Sequence, residues 1–241
     1  SAPTTGASSS ATTAAASLIA QEITFTGPNG ALTAAYASPP DPKGAVLVCH
    51  ENRGLTPHFY DVVGRLAQAG YAAMCVDLVS EEGGTASMDE GAVQGALGGA
   101  PEDRLVGDLQ AGIHELQTRA PGVKVGTVGF CFGGSMVWNL LNAGEDRIVA
   151  AVPFYGPAPA DPDFSGADAA VLAIYGELDS RVNASQESVS QALDAAGLTH
   201  ETKVYPGADH AFFNDTGPRY NEAAAKDAYD RLLAWFDQYL S

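Results

Sequence analysis

The chain reads as an α/β domain built on a mostly parallel central sheet with helices on both faces, and three observations carry that reading. Short continuous apolar runs at residues 45–49, 71–78, 123–128, 148–154 and 171–175 have the length and composition of strands buried on both faces. Segments of helical spacing separate most of them, and strands alternating with helices form a parallel sheet covered on both sides. Near the start, residues 22–26 and 32–37 alternate apolar and polar side chains about Gly27-Pro28-Asn29-Gly30, the pattern of an antiparallel hairpin added at one edge.

The remaining elements follow in order. Residues 58–69 place Phe59, Val62, Val63 and Leu66 on one helical face and stop at Gly70. Residues 105–116 repeat Leu105, Leu109, Ile113 and Leu116 at helical spacing, and 135–142 is a further helix. Residues 185–196 form a helix closed by Gly197, 200–205 a strand, and 221–239 a final amphipathic helix carrying Leu232, Leu233, Trp235 and Phe236. The stretch 81–99, rich in glycine and acidic residues, is expected to be a loop beside the site, a candidate mobile lid.

At 241 residues the chain is expected to form one domain, 19–241, after a flexible tail, 1–18, made almost wholly of Ser, Ala, Thr, Gly and Pro. Such a tail fits a spacer left by processing of an N-terminal signal, so the expected location is soluble, either cytoplasmic or exported. A net charge of −17 repels nucleic acid and anionic membranes. No apolar run approaches the roughly 20 residues that span a bilayer. Neither nucleic acid nor membrane is therefore an expected partner, and the expected state is a monomer or weak homodimer. Cys49, Cys75 and Cys131 are too few and too widely spaced for a disulfide framework or a metal knuckle, although a Cys49–Cys75 bridge stays open. No cluster has metal-ligand spacing, and no cofactor is expected.

The chemistry concentrates at Gly129-Phe130-Cys131-Phe132-Gly133-Gly134, which follows a buried strand and precedes a helix. That context is a nucleophile elbow on an α/β-hydrolase scaffold, with cysteine where serine is usual. By itself the hexapeptide also fits an inert small cysteine at a tight junction. A thiol nucleophile needs a base and a group to orient that base. The order nucleophile, acid, histidine is met by Asp179, after strand 171–175, and His210, after strand 200–205. Both sit past carboxyl ends of strands, the edge where open α/β sheets build their sites. Glu177 competes with Asp179 for the acid's place.

With these residues in view the chain resembles the dienelactone hydrolase family (carboxymethylenebutenolidase-like proteins). The resemblance rests on His50-Glu51-Asn52-Arg53-Gly54, the cysteine elbow, Phe154-Tyr155-Gly156, Tyr175-Gly176-Glu177-Leu178-Asp179 and His210-Ala211-Phe212-Phe213-Asn214-Asp215, spread over about residues 20–240. It implies Cys131 as nucleophile, His210 as base, Asp179 as orienting acid, and Glu51 as a buried glutamate linked to thiol activation when substrate binds. A carboxylate in an apolar site has a raised pKa and can accept a proton; an ion pair between Glu51 and Arg53 is compatible with that role. The oxyanion hole would be the backbone N–H groups of Phe132 and Asn52.

The implied reaction is hydrolysis of a small lactone or activated ester through a thioester. Better-known family members carry an arginine shortly after the catalytic histidine, where this chain has Phe213 followed by Asn214-Asp215, and the loop after Leu78, Val79-Ser80-Glu81-Glu82, lacks the second arginine often found there. Arg53 and Arg219, the latter read as opening the final helix, are the available substitutes. Phe132, Tyr155, Phe212 and Phe213 suggest an apolar pocket, so Arg53, Tyr155, Phe212 and Phe213 are the expected substrate-binding residues. Two other classes stay open: a catalytically silent α/β-hydrolase that binds a small molecule, and a thiol redox enzyme or peptidase using Cys131.

Overall fold

The computed structural model describes residues 18–241, so the expected N-terminal tail lies outside the described residues but for its last position. The strands are β1 (Gln21–Thr26), β2 (Ala31–Ala37), β3 (Ala45–Cys49), β4 (Ala72–Val76), β5 (Val125–Phe130), β6 (Ile148–Phe154), β7 (Ala170–Gly176) and β8 (His200–Tyr205). The helices are α1 (Pro57–Gln68), α2 (Glu90–Gly99), α3 (Glu102–Arg119), α4 (Phe132–Asn142), α5 (Ser180–Asn183), α6 (Gln186–Ala195) and α7 (Glu222–Leu240). One eight-stranded sheet has the order β1-β2-β4-β3-β5-β6-β7-β8. β1 and β2 pair antiparallel, β2 joins β4 antiparallel, and every later pairing is parallel.

The apolar strands read as continuous because they are buried on both faces. Along β3 and β4, Leu47, Cys49, Met74 and Val76 enter the core layer shared with α2, α3, α4 and α6. Val46, Val48, Ala73 and Cys75 enter the opposite layer, shared with α1 and α7. This is the two-residue period of a pleated strand serving two cores at once. It also closes the question of a Cys49–Cys75 bridge: the two side chains project from opposite faces, and both thiols are free. Pro57 opens α1 at a position where its missing N–H costs nothing, and Gly70 ends that region with φ 104°.

The segment expected to be a mobile loop, 81–99, is different. Two 3₁₀ turns, Ser80–Glu82 and Thr85–Ser87, lead into α2. Asp89 caps α2 by accepting from the Ala92 N–H at 2.9 Å, and Val93 and Leu97, one turn apart, are buried in the core. Four glycines, at 91, 95, 98 and 99, mask this helix in the sequence. A capped helix bolted to the core by two apolar side chains is a fixed element, not a lid.

Two glycines set how closely α4 lies on the sheet. A Cβ at Gly133 would stand 2.0 Å from the Cys49 carbonyl oxygen, and one at Gly129 2.0 Å from the Gly133 carbonyl oxygen. Backbone meets backbone there, and neither side can yield as a flexible side chain would. Gly133→Ala should therefore lower the melting temperature by about 10 °C, the shift that a ~3 kcal/mol overpacking strain produces in a chain of this size. Gly95→Ala, in α2 with open space around the added methyl, should instead stabilise by about 0.5–1 kcal/mol. Thermal unfolding of both variants checks the pair, and no gain from Gly95→Ala would mean that α2 does not persist in solution.

Candidate active site

The site forms where the sheet's winding reverses. From β3 the chain passes through α1 to β4 on one side, whereas β5 lies on the other side of β3 and leads outward to β6, β7 and β8. The carboxyl ends of β3 and β5 therefore diverge into a crevice, the place where open α/β sheets bind ligands. His50, Glu51 and Asn52 follow β3, and Cys131 follows β5 directly.

Cys131 occupies φ 57°, a conformation that a residue with a Cβ rarely adopts. Its N–H donates to the Phe154 carbonyl at 3.0 Å, and its own carbonyl accepts from Ser135 N–H at 3.1 Å. These bonds and the close approach of α4 fix the turn. The side chain is thus aimed out of the sheet edge, with the first N–H groups of α4, starting at Phe132, left without helical partners.

His210 and Asp179 reach the same point from separate strands. The Asp179 carboxylate can only accept, so His210 Nδ1–H donates to its Oδ2, at 2.5 Å. Nε2 is then the acceptor of the neutral ring, and Cys131 Sγ lies 3.0 Å from it. The two loops are stitched to each other. Glu177 N–H donates to the Tyr205 carbonyl at 3.0 Å, Leu178 N–H to the Ala208 carbonyl at 3.0 Å, and Gly207 N–H to Glu177 Oε2 at 2.8 Å. Glu177, the competing acid, is spent on that turn, and the carboxylate that pairs with His210 Nδ1 is that of Asp179.

Glu51 is buried and accepts from Asn214 Nδ2 at 2.9 Å, while its Oε1 has no partner. Burial pushes its carboxyl pKa up, opposed by the Asn214 hydrogen bond and the charges of Arg53 and Arg219. Arg53 itself pairs with Glu90 at 2.8 Å, so the direct Glu51–Arg53 ion pair considered from sequence is absent. The loop that carries Glu51 is fixed by the buried His50. Leu78 N–H donates to its Nε2 at 3.1 Å, so Nδ1–H donates to the Glu51 carbonyl at 2.7 Å. That tautomer is neutral, and burial depresses the ring's pKa further. Thr85 ties the same loop to β4's end: its Oγ1 accepts from Leu55 N–H at 2.9 Å and donates to Asp77 Oδ1 at 2.8 Å.

Burial raises the Cys131 thiol to about 11, with the Glu51 charge adding to the shift; the Phe132 backbone N–H, Arg181 and Arg219 act against it. The shift favours the protonated sulfur at rest, 3.0 Å from His210 Nε2.

A cleft of about 280 Å³ opens over these groups, lined by Glu51, Asn52, Arg53, Cys131, His210, Asn214 and Arg219 among others. Three residues expected at the substrate are elsewhere. Tyr155, Phe212 and Phe213 are buried in the core layer of α1 and α7 and do not line the cleft. Tyr155 stays a neighbour of the site, its ring 5.2 Å from that of His210. The reason is local: Ala211 takes φ 62°, which turns the chain so that Phe212 and Phe213 point inward and Asn214 returns to the cleft. Asn214 and Arg219 are the cleft residues that sequence reasoning left without a firm role. Arg219 does not open the last helix; Asn221 caps that helix by accepting from Ala224 N–H at 3.1 Å, which leaves Arg219 in the preceding loop. Cys49 gives Cys131 no second thiol, since its side chain belongs to the opposite core layer and contacts Thr127.

Sheet order, elbow and strand-end cleft together define an α/β-hydrolase fold. The chain matches the family model of the dienelactone hydrolase family over residues 32–240, and it belongs to that family. A protein of Salmonella typhimurium (strain LT2) named "Putative carboxymethylenebutenolidase" is 34% identical over 226 residues, covering 86% of this chain and 83% of that protein. One of the same name from Methylorubrum extorquens is 32% identical over 239 residues, covering 92% and 82%. A crystal structure from Klebsiella pneumoniae subsp. pneumoniae MGH 78578, described as a "Putative Dienelactone Hydrolase", superposes with a TM-score of 0.82 at 30% identity, covering 92% of this chain and 99% of that one. Among the described residues no helix is long and apolar enough to cross a membrane.

The raised pKa of Glu51 has a measurable consequence. Because the folded state holds this proton more tightly than the unfolded chain, Glu51 costs no stability below its ordinary value of 4.5, where both states are protonated. The cost grows as pH rises through the shifted pKa. Glu51→Gln should therefore melt above the wild type at neutral pH, and the difference should vanish toward pH 4. Melting curves of the two proteins across that range check both the sign and the window.

Proposed function

We propose that the protein hydrolyses a small lactone or activated carboxylic ester through Cys131, with His210 as base and Asp179 holding it. The observation that carries this reading is the continuous relay from Sγ to Nε2 at 3.0 Å and from Nδ1 to the Asp179 carboxylate. Membership of a hydrolase family supports the reaction class.

In this mechanism substrate enters the cleft and the thiol passes its proton to His210 Nε2. The sulfur attacks the carbonyl carbon, and the oxyanion is held by the N–H groups of Phe132 and Asn52; one such donor is worth about a hundredfold or more in rate. The carbon–oxygen bond breaks, the alkoxide or enolate takes the proton from His210, and a thioester remains. Water, deprotonated by His210, attacks the thioester, and the thiol and the carboxylic acid are released. A thiolate is itself easily expelled from the tetrahedral intermediate, so only good leaving groups compete with it. That favours lactones and activated esters over amides.

The cleft lining favours an anionic substrate over the apolar one suggested by the aromatic residues of the sequence. Arg53 and Arg219 stand on it; Arg53 is paired with Glu90, while Arg219 has no carboxylate within salt-bridge distance among the described residues. Dienelactone, which carries a carboxylate, is one candidate of this class. The silent-binder reading is disfavoured by the relay, and a redox role by the lack of a second thiol beside Cys131.

Hydrolysis of p-nitrophenyl acetate should be present in the wild type and fall to background in Cys131→Ala. Mass spectrometry of wild type quenched during turnover should find one acetyl group on the peptide containing Cys131. Equal rates in the two proteins would remove Cys131 from the mechanism. Arg219→Ala should raise KM for a carboxylate-bearing lactone about tenfold, the worth of one charged hydrogen bond, and leave KM for p-nitrophenyl acetate within about a factor of two; an equal rise for both substrates would assign Arg219 a structural role instead.

A further inference from the structure

Asn214 is buried and lies 163 residues from Glu51 in the chain, yet its Nδ2 donates to Glu51 Oε2 at 2.9 Å. The other end of the same amide is fixed with equal care. Thr216 N–H donates to Asn214 Oδ1 at 3.0 Å, and Thr216 Oγ1 lies 2.6 Å from it. A backbone N–H can only donate, so the atom facing it is the oxygen, and the amide cannot be flipped. The Asn214 NH₂ must therefore face Glu51. Of the two carboxylate oxygens, Oε2 is held and Oε1 is left without a partner. The carboxylate also stays outside hydrogen-bonding distance of Cys131, whose sulfur bonds to His210 instead.

We propose that Asn214, locked by Thr216, is the positioning residue for Glu51: it fixes which oxygen is held, keeps the carboxylate off the resting thiol, and leaves Oε1 as the free proton-accepting atom of the cleft. The inference rests on the proposed role of Cys131 and extends it to a neutral holder. An amide restrains a carboxylate without cancelling its charge, so Glu51 remains an anion beside the sulfur and opposes formation of a second one there. The charged and titratable groups around Glu51 are Arg53 on its own loop, Arg219 before α7, Cys131 at the elbow, Tyr155 after β6 and His210 after β8.

The test is a double-mutant cycle with Asn214→Ala and Glu51→Gln, read as the pH profile of kcat/KM for p-nitrophenyl acetate and as the pH dependence of Cys131 alkylation by iodoacetamide. Asn214→Ala should lower kcat/KM about tenfold, the worth of a hydrogen bond to a charged group, and shift both pH profiles. In the Glu51→Gln background it should have no further effect. Thr216→Val should reproduce a smaller loss with the same profile shift, and Thr216→Ser, which keeps the hydroxyl, should restore wild-type values. A loss of the same size in both backgrounds, with unshifted profiles, would overturn the proposal and leave Asn214 a packing residue. Failure of the underlying reading is separately visible, because Cys131→Ala would then retain activity whatever stands at position 214.

Discussion

The site depends on one local constraint, the positive φ of Cys131 at the junction of β5 and α4. A backbone held there costs on the order of 1–3 kcal/mol and persists only where its surroundings leave no alternative. The surroundings here are backbone atoms. α4 lies so close to β3 and β5 that Gly129 and Gly133 have no room for a methyl group, and the Cys131 N–H is already committed to Phe154. Relaxing the turn would break that bond and withdraw the helix from the sheet. The strain therefore aims the thiol outward and brings the Phe132 N–H at the start of α4 beside it.

The same economy governs the two loops that meet the elbow. Tyr155 (φ 36°) and Ala211 (φ 62°) are the other non-glycine residues with positive φ among the described residues, and both adjoin the cleft. Each is pinned: Tyr155 N–H donates to the Ile174 carbonyl at 2.7 Å, and the Ala211 carbonyl accepts from Asn214 N–H at 3.2 Å. Strain gathered at one edge of the sheet means that the rest of the fold serves as its anchor. The loops that carry Asp179 and His210 share three hydrogen bonds across the ends of β7 and β8, so the two are tied directly to each other.

Much of this was legible in the sequence because it is local. Apolar runs bounded by turns located β3, β5, β6 and β7 within a residue or two, and the order of Cys131, Asp179 and His210 followed from which strands they end. What was not legible depended on chain direction or distant pairing. The glycines of α2 hide a helix whose evidence is a cap at Asp89 and two buried side chains, Val93 and Leu97. Phe212 and Phe213 beside His210 suggest an aromatic pocket, but one residue of unusual backbone, Ala211, sends them into the core. The contact between Asn214 and Glu51 joins residues far apart in the chain, and nothing in either local pattern announces it. The Arg219 position depends on where α7 begins, and helix starts are set by capping more than by periodicity.

Charge explains why a cysteine can stand in this cleft. Burial and the nearby Glu51 raise the thiol to about 11, which at neutral pH favours the protonated sulfur over the thiolate, the form that oxidants and alkylating agents attack. Of the groups that oppose the shift, the Phe132 N–H and Arg219 are those that, on the proposed function, an anionic substrate and its transition state would also engage. On the proposed mechanism, negative charge rests on sulfur only briefly before moving to the substrate oxygen, where N–H dipoles at the start of α4 receive it. The environment thus disfavours the free thiolate and favours the charge once it has been transferred. That difference between ground state and transition state is the part of binding that accelerates a reaction. A more strongly cationic cleft would stabilise the resting thiolate as well, and would lose both the protection and the difference.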